Sequence, residues 1–114
     1  MKIKVNEAER EVLDWMVAEA SGTPIYRSGK TLTRMDVDGN SYWQPSTDWS
    51  QGGPIIEREF ICVSAPMHPS TAPWCAISDS TGCKAFGPTP LIAAMRCYVA
   101  SKLGEEVEVP DELH

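Results

Sequence analysis

Long apolar runs and a secretory leader are both missing from this sequence of 114 residues. The longest mainly apolar stretch, residues 91–99, is interrupted by Arg96 and is far shorter than the roughly 20 residues that cross a bilayer. The chain begins Met1-Lys2-Ile3-Lys4 and soon becomes acidic, without the apolar segment and small-residue cleavage site of a signal peptide. We therefore expect a protein without membrane contact that stays in the cytoplasm.

An excess of basic charge is also missing. Ten Lys and Arg residues stand against sixteen Asp and Glu residues, which gives a formal net charge of -6. Five of the acids are crowded into the last ten residues, namely Glu105, Glu106, Glu108, Asp111 and Glu112. Because non-specific binding to duplex DNA requires cations that displace counterions from the phosphates, this composition argues against duplex DNA as a partner.

Metal-ligand spacings are absent as well. The four cysteines never form a Cys-x-x-Cys pair, and neither histidine stands at a regular ligand spacing. We predict no metal site and no cofactor. Cys62 and Cys97 fall in apolar segments and are expected to be buried, whereas Cys75 and Cys83 flank a predicted hairpin in which their pairing is left open.

The motifs of common reactions do not occur either. There is no Gly-x-Ser-x-Gly elbow, no phosphate loop with a following Lys-Ser or Lys-Thr, and no Gly-x-Gly-x-x-Gly fingerprint. Glu57 and Glu59 flank Arg58, and we interpret the three as a solvated charged surface rather than a catalytic pair. The sequence therefore predicts no catalytic residue, and we expect a protein that is not an enzyme.

The first predicted helix starts in a capping box formed by Asn6 and Glu9. Apolar residues then recur at three- and four-residue steps, which places Asp14 on the outward face. Ser21-Gly22 supplies the stop, and Pro24 prevents continuation. The pattern is typical of an amphipathic helix that buries one face.

The clearest element in the sequence is a C-terminal helix. Thr89 is placed to cap it, Pro90 suits its first position, and Gly104 provides its stop. Its larger apolar residues form one stripe, so we predict an amphipathic helix that closes the core. Arg96 and Ser101 are expected on its solvent side.

Strand patterns fill much of the remaining sequence. We predict strands at residues 2–5, 60–63, 74–77 and 84–86, and two or three more between residues 25 and 43 with a hairpin turn at 38–40. Residues 1–104 are expected to form a single α+β domain with a largely antiparallel sheet and helices packed on its faces. Residues 105–114 form an acidic tail, which is either an edge strand or a solvated end.

An aromatic and polar cluster in the middle of the chain is the candidate binding site. Aromatic rings beside hydroxyls, a carboxylate and a guanidinium suit a pocket for a planar, phosphorylated ligand. The candidate residues are Tyr42, Trp43, Ser46, Thr47, Asp48, Trp49 and Arg58, with Arg96 from the C-terminal helix. The same residues would also serve as core and helix cap, and this alternative is left open.

A glycine turn extends this candidate site. Gly52 and Gly53 precede Pro54, which we predict to begin a second short helix at residues 54–59, after a helical turn capped by Ser46 or Thr47. Free backbone N–H groups at such a helix start are able to hold an anion. A plain tight turn is the alternative, because no phosphate-loop motif follows.

Two segments carry a family resemblance, residues 46–59 (STDWSQGGPIIERE) and residues 87–104 (GPTPLIAAMRCYVASKLG). They resemble the NinX family of small phage proteins. The resemblance implies a tailed-phage accessory protein in the cytoplasm of a bacterial host, from a family whose biochemical role is not established, and it brings no catalytic residues. The Ser-Thr-Asp segment is also similar to a phage domain with an α/β/α sandwich, which implies that kind of layering here.

Three functions are compatible with these features. The first is a non-enzymatic binder that sequesters a small host molecule, such as a nucleotide-derived defence signal. The second is a protein-interaction module that blocks or recruits a host protein through the acidic tail and Trp15. The third is a small hydrolase or nuclease. A homo-oligomer is left open in each case.

Overall fold

The computed structural model describes residues 1–35, 41–66 and 73–113. In this part of the chain the order is β1 (Lys2–Lys4), α1 (Arg10–Ser21), β2 (Ile25–Ser28), β3 (Thr31–Arg34), α2 (Trp49–Arg58), β4 (Ile61–Ser64), β5 (Trp74–Ser78), β6 (Lys84–Gly87), α3 (Pro90–Leu103) and β7 (Glu106–Glu108). Short 3₁₀ turns lie at Val5–Glu7 and Asp111–Leu113. No helix in the described ranges combines the length and apolar character needed to cross a membrane.

The strands form small antiparallel sheets. β1 pairs with β7, β2 pairs with β3, and β4, β5 and β6 lie side by side in that order. This mixture of helices and antiparallel sheets confirms the predicted α+β class. Thr33 in β3 also forms a single antiparallel bridge to Tyr42. Tyr42, near the end of the segment predicted to form strands, therefore lies beside the β2–β3 hairpin. The turn predicted at residues 38–40 lies outside the described residues.

The ends of α3 agree with the prediction. Thr89 caps the helix, because its Oγ1 accepts a hydrogen bond from the Ile92 amide at 3.1 Å. Pro90 is the first helical residue, and the amide of Gly104 makes the last bond, to the Ala100 carbonyl. These ends are set by bonds that span at most four residues, so the local sequence is sufficient to specify them.

The predicted single stripe of α3 is wrong. Every residue from 93 to 99 is buried, because α3 packs against the β4–β6 sheet as well as against α1 and α2. Arg96, expected on the solvent side, is only 8% exposed. Leu103, expected in the buried stripe, is exposed near the end of the helix. The helix is therefore the centre of the molecule rather than a cover on one side of it.

α1 starts later than the capping box predicts. Asn6 lies in a 3₁₀ turn, and its Oδ1 accepts a hydrogen bond from the Phe86 amide at 3.4 Å instead of capping α1. Glu9 occupies the N-cap position without a side-chain capping bond. The predicted end is correct, because Gly22 adopts a left-handed φ of 71° that favours glycine.

α2 is one continuous helix, so the predicted break at Gly52 and Gly53 is wrong. Asp48 caps it, with Oδ1 accepting from the amide of Ser50 at 2.9 Å. Pro54 lies inside the helix rather than at the start of a new one. Gly52 is buried at the contact with α3, where a Cβ would overlap the Pro45 carbonyl oxygen and the Leu91 side chain. The glycine therefore permits close packing rather than a turn.

Adjacent glycines in α2 give a matched pair of predictions. Gly52→Ala is expected to lower the free energy of unfolding by about 2 kcal/mol, because the new methyl group meets backbone that cannot move freely. Gly53→Ala is expected to raise it by up to about 1 kcal/mol, because alanine has the higher helix propensity and nothing lies closer than 4.0 Å to the new Cβ. Urea unfolding of both variants measures the difference, and equal values would contradict the packing role of Gly52.

The predicted burial is correct for Cys97 and wrong for Cys62. Cys97 is buried, and its Sγ donates to the Cys83 carbonyl at 3.3 Å. Burial raises the pKa of the Cys97 thiol to about 11. Cys62 is exposed, because it lies on the face of β4 that points away from α3. All four thiols are free, and the strand register places Phe86, not Cys83, opposite Cys75.

Candidate functional site

The centre of the predicted cluster is part of the core. Trp43 is buried, and its Nε1 donates to the backbone carbonyl of Asp14 at 2.8 Å. The amide of Ser46 donates to Asp14 Oδ1, also at 2.8 Å. These two bonds join the segment before α2 to the middle of α1. The open alternative, in which these residues are core, therefore describes the Trp43 ring and Ser46 correctly.

The α2 part of the predicted cluster does not form an anion site at a helix start. The Asp48 carboxylate is occupied by the Ser50 amide and hydroxyl. Gly52 and Gly53 lie within α2, where backbone N–H groups are directed along the helix rather than toward a ligand. Arg58 is exposed, and its Nε donates to Glu59 Oε2 at 3.1 Å. Trp49 is exposed at the first position of the helix.

A cleft beside Trp43 brings the remaining predicted residues together with unpredicted ones. We call it the α1–β3 cleft, because it lies between the first turns of α1, the β2–β3 hairpin and the segment before α2. Its volume is about 420 Å³. Its lining residues are Arg10, Glu11, Asp14, Lys30, Thr31, Leu32, Tyr42, Trp43, Gln44 and Thr47. It retains Tyr42, Trp43 and Thr47 of the sequence-based site.

Asp14 is the buried carboxylate of this cleft. It is 4% exposed, although the helical pattern predicts an outward position. Burial raises the pKa of Asp14 to about 6, while interactions with Ser46 lower it and nearby Glu11 raises it further. Ser46 Oγ is fully buried and has no hydrogen-bond partner among the described residues. Val17 and Ala18 follow Asp14 at three- and four-residue steps and are buried. This helical spacing is the signal that could have indicated the burial of Asp14.

Two cations line the cleft, Arg10 and Lys30. Arg10 is the first residue of α1 and adopts a left-handed φ of 54°. A non-glycine residue is uncommon in this region of backbone conformation. Lys30 is exposed at the turn between β2 and β3. The sequence marks these two residues only as part of a modest basic bias in its first third.

Tyr42 is 61% exposed, yet its backbone is held by a hydrogen bond. Gln51 Nε2 donates to the Tyr42 carbonyl at 2.6 Å, and Gln51 Oε1 accepts from the Gln44 amide at 2.6 Å. One α2 side chain thus fixes both residues that flank Trp43. An exposed aromatic ring on a fixed backbone is a surface on which a planar group is able to stack.

The arrangement provides binding groups of several kinds. Guanidinium and ammonium groups bind phosphate or carboxylate, the threonine hydroxyls and Gln44 exchange hydrogen bonds, and the carboxylates accept from N–H or O–H donors. Within the described residues, no three His, Cys, Asp or Glu side chains stand close enough to hold a metal ion.

The comparison with known families agrees with the resemblance found in the sequence. Residues 4–102 match the family described as Bacteriophage P22, NinX. None of the curated proteins matches the chain. The family match covers α1, α2 and all of α3 except its last residue, and it includes every residue that lines the α1–β3 cleft. Since the match covers far more than half of the sequence, the chain belongs to the NinX family of phage accessory proteins.

Proposed function

We propose that this protein is a non-enzymatic binder that takes up a small, planar, phosphate-bearing host molecule in the α1–β3 cleft. The observation that carries the proposal is the exposed Tyr42 side chain, whose backbone is held by Gln51, in one cleft with Arg10 and Lys30. The planar ring of the ligand would stack on the Tyr42 side chain, while the phosphate of the ligand would bind the two cations. A volume of about 420 Å³ also falls in the range that small-molecule sites occupy.

The acidic side of the cleft narrows the class of ligand. Asp14 and Glu11 offset the charge of Arg10 and Lys30. An anion without hydrogen-bond donors therefore gains little binding free energy from the cleft as a whole. A ligand that also has N–H or O–H donors is able to use the carboxylates. Nucleotides and their derivatives combine a planar base, donor groups and phosphate, and they satisfy all of these groups together.

The phage setting suggests how such binding would act. A binder that carries out no reaction is able to affect its host by removing a small molecule from solution. We therefore propose sequestration of a nucleotide-derived defence signal as the specific form of this function. The feature that supports this proposal is the presence of an exposed aromatic side chain, cations and carboxylates in one cleft.

A second candidate is the protein-interaction module. Trp49 and Phe60 are exposed at the two ends of α2, and Phe60 has a left-handed φ of 53°. Exposed aromatic residues are enriched at protein interfaces. Trp15, the residue chosen from the sequence for this role, is partly buried against the core and fits it less well. If no small molecule stabilises the protein, this candidate takes precedence.

Thermal unfolding with a panel of cyclic dinucleotides and ADP-ribose derivatives tests the first candidate. A ligand at 100 times its dissociation constant is expected to stabilise the fold by about 2.7 kcal/mol, which raises Tm on the order of 10 °C. Tyr42→Ala is expected to weaken binding of that ligand about tenfold, because the stacking surface is lost. Lys30→Gln is expected to weaken it through loss of a phosphate contact.

Tyr26→Ala is the matched control for this experiment. Tyr26 is 62% exposed, almost the same as Tyr42, and it does not line the cleft. The control should therefore leave ligand binding unchanged. A panel in which no compound raises Tm, or in which both tyrosine variants weaken binding equally, would count against the α1–β3 cleft as the site.

A further inference from the structure

Arg96 is a buried cation held by two backbone carbonyls. Its Nε donates to the Ala8 carbonyl and its Nη1 donates to the Phe86 carbonyl, both at 2.8 Å. These bonds join α3 to the segment before α1 and to the end of β6. They orient the guanidinium, but carbonyl oxygens carry no formal charge to balance it.

No acidic side chain balances Arg96 directly. It makes no ion pair with any residue in the described part of the chain. Burial lowers the pKa of Arg96, and the more distant charge of Glu9 opposes this. A guanidinium remains protonated in proteins, and a buried charge without a counter-ion is costly. The fold thus keeps a positive charge in a place where burial alone disfavours it.

Part of the guanidinium remains available for binding. Arg96 uses two of its N–H donors in the bonds to Ala8 and Phe86, and a guanidinium has five. Nη2 makes no hydrogen bond to a described residue. Arg96 also lines a cleft, through which a ligand is able to approach its side chain.

This second cleft has a volume of about 290 Å³. We call it the α3–β6 cleft, and its lining residues are Lys4, Val5, Asn6, Lys84, Ala85, Arg96, Ala100, Glu105 and Glu106. It shares no lining residue with the α1–β3 cleft. Lys4 lies directly opposite Glu106 in the β1–β7 pair, so these two charges largely offset each other. Arg96 and Lys84 then outweigh the exposed Glu105.

We propose that the α3–β6 cleft is a separate binding site for one phosphate-sized oxyanion, held by Arg96 and Lys84. The oxyanion is either free phosphate or the terminal phosphate of a larger molecule, since both present the same group. Its charge would offset that of Arg96, which forms no ion pair with a described residue. The Asn6 amide lies at the same cleft and offers a further donor.

Titration with inorganic phosphate, followed by amide chemical shifts at constant ionic strength, tests this site. Saturable shifts are expected at the residues that line the α3–β6 cleft. Lys84→Gln is expected to weaken phosphate binding about tenfold, because an exposed lysine is removed without disturbing the core. Glu106→Gln is expected to strengthen binding, because it frees Lys4 and removes a repelling charge.

Control variants separate this site from the proposed function. Lys102→Gln removes an exposed lysine that is paired with Glu59 outside the cleft, and it should leave phosphate binding unchanged. Lys30→Gln and Tyr42→Ala should also leave it unchanged, since they alter the other cleft. If the natural chain binds none of the nucleotides but still binds phosphate at the α3–β6 cleft, the proposed function alone is rejected.

Two results would overturn the oxyanion site. The first is an absence of saturable shifts at the cleft, and the second is an equal effect of Lys84→Gln and Lys102→Gln, which indicates non-specific charge screening. A parallel titration with a phosphomonoester distinguishes the two sources of phosphate. Equal affinity for both probes identifies a site open to a terminal phosphate, whereas binding of inorganic phosphate alone identifies a site for the free ion.

Discussion

Removal of residues 105–114 is expected to lower the free energy of unfolding on the order of 5 kcal/mol. Val109 and Leu113 are buried members of the core, exposed by only 2% and 1%. β7 also pairs with β1, and the amide of Val109 donates to the Met1 carbonyl at 2.8 Å. The truncation therefore removes two core side chains and leaves β1 without its partner strand.

Urea unfolding of the full chain and of a chain that ends at Gly104 measures this effect. Since small domains have unfolding free energies of only about 5 to 15 kcal/mol, the shortened chain is expected to be close to unfolding. A full-length variant with Gln in place of Glu105, Glu106, Glu108, Asp111 and Glu112 is the matched control. It removes the acidic charge but keeps Val109 and Leu113, so its stability should change little.

The truncation also tests the predicted division of the chain at residue 104. Equal stability of the two chains would show that residues 1–104 fold as a complete domain with the tail as an accessory. If the shortened chain unfolds as expected, any comparison of partner binding with and without the acidic tail requires the full-length variant in which the five tail acids are replaced by Gln. Otherwise loss of binding would reflect loss of the fold rather than loss of the acidic surface.

Asp14→Asn is expected to stabilise the protein by about 3 kcal/mol at pH 7.5. Burial raises the pKa of Asp14 from 3.8 to about 6. The folded protein therefore binds a proton more tightly than the unfolded chain, so the carboxylate destabilises the fold increasingly as the pH rises from about 4 to 6. Above that window the cost is constant, and below it the cost disappears. Asparagine has no charge but retains an Oδ1 that accepts from the Ser46 amide.

Unfolding free energies at pH 7.5 and pH 4 provide the measurement. The variant should exceed the natural chain at pH 7.5 and match it near pH 4. Glu19→Gln, an exposed acid on the same helix, is the control and should have little effect at either pH. If Asp14→Asn is instead less stable at pH 7.5, the buried carboxylate is matched by a favourable interaction that requires its charge.

The same variant connects stability with the proposed site. Residues kept at a cost to stability are often kept for function. If Asp14→Asn is more stable but binds the nucleotide ligand more weakly, the carboxylate contributes to recognition. If binding is unchanged, the cost of burying Asp14 needs another explanation, and its bond to Ser46 is the first contact to examine.

Part of the candidate site was predictable because it is contiguous in the sequence. Tyr42, Trp43 and Thr47 lie within six residues of one another, and all three line the α1–β3 cleft. Arg10 and Lys30 could not be assigned to it, because the fold of α1 and the β2–β3 hairpin brings them there from elsewhere in the chain. Arg96 was predicted as a ligand-binding cation of the same site, but it lines the α3–β6 cleft instead.

The sequence by itself determined the ends of α3, the glycine stop of α1, the β5–β6 hairpin and the α+β class. The helix ends and the hairpin depend on hydrogen bonds or turn residues that are close together in the chain. The α+β class follows from the local patterns of helix and strand, so local chemistry is sufficient for all four. Only the tertiary structure decided that α3 is buried on several sides, that α2 continues through Gly52, and that Asp14 and Arg96 lie inside. Burial depends on which elements pack together, and residues distant in sequence set that packing.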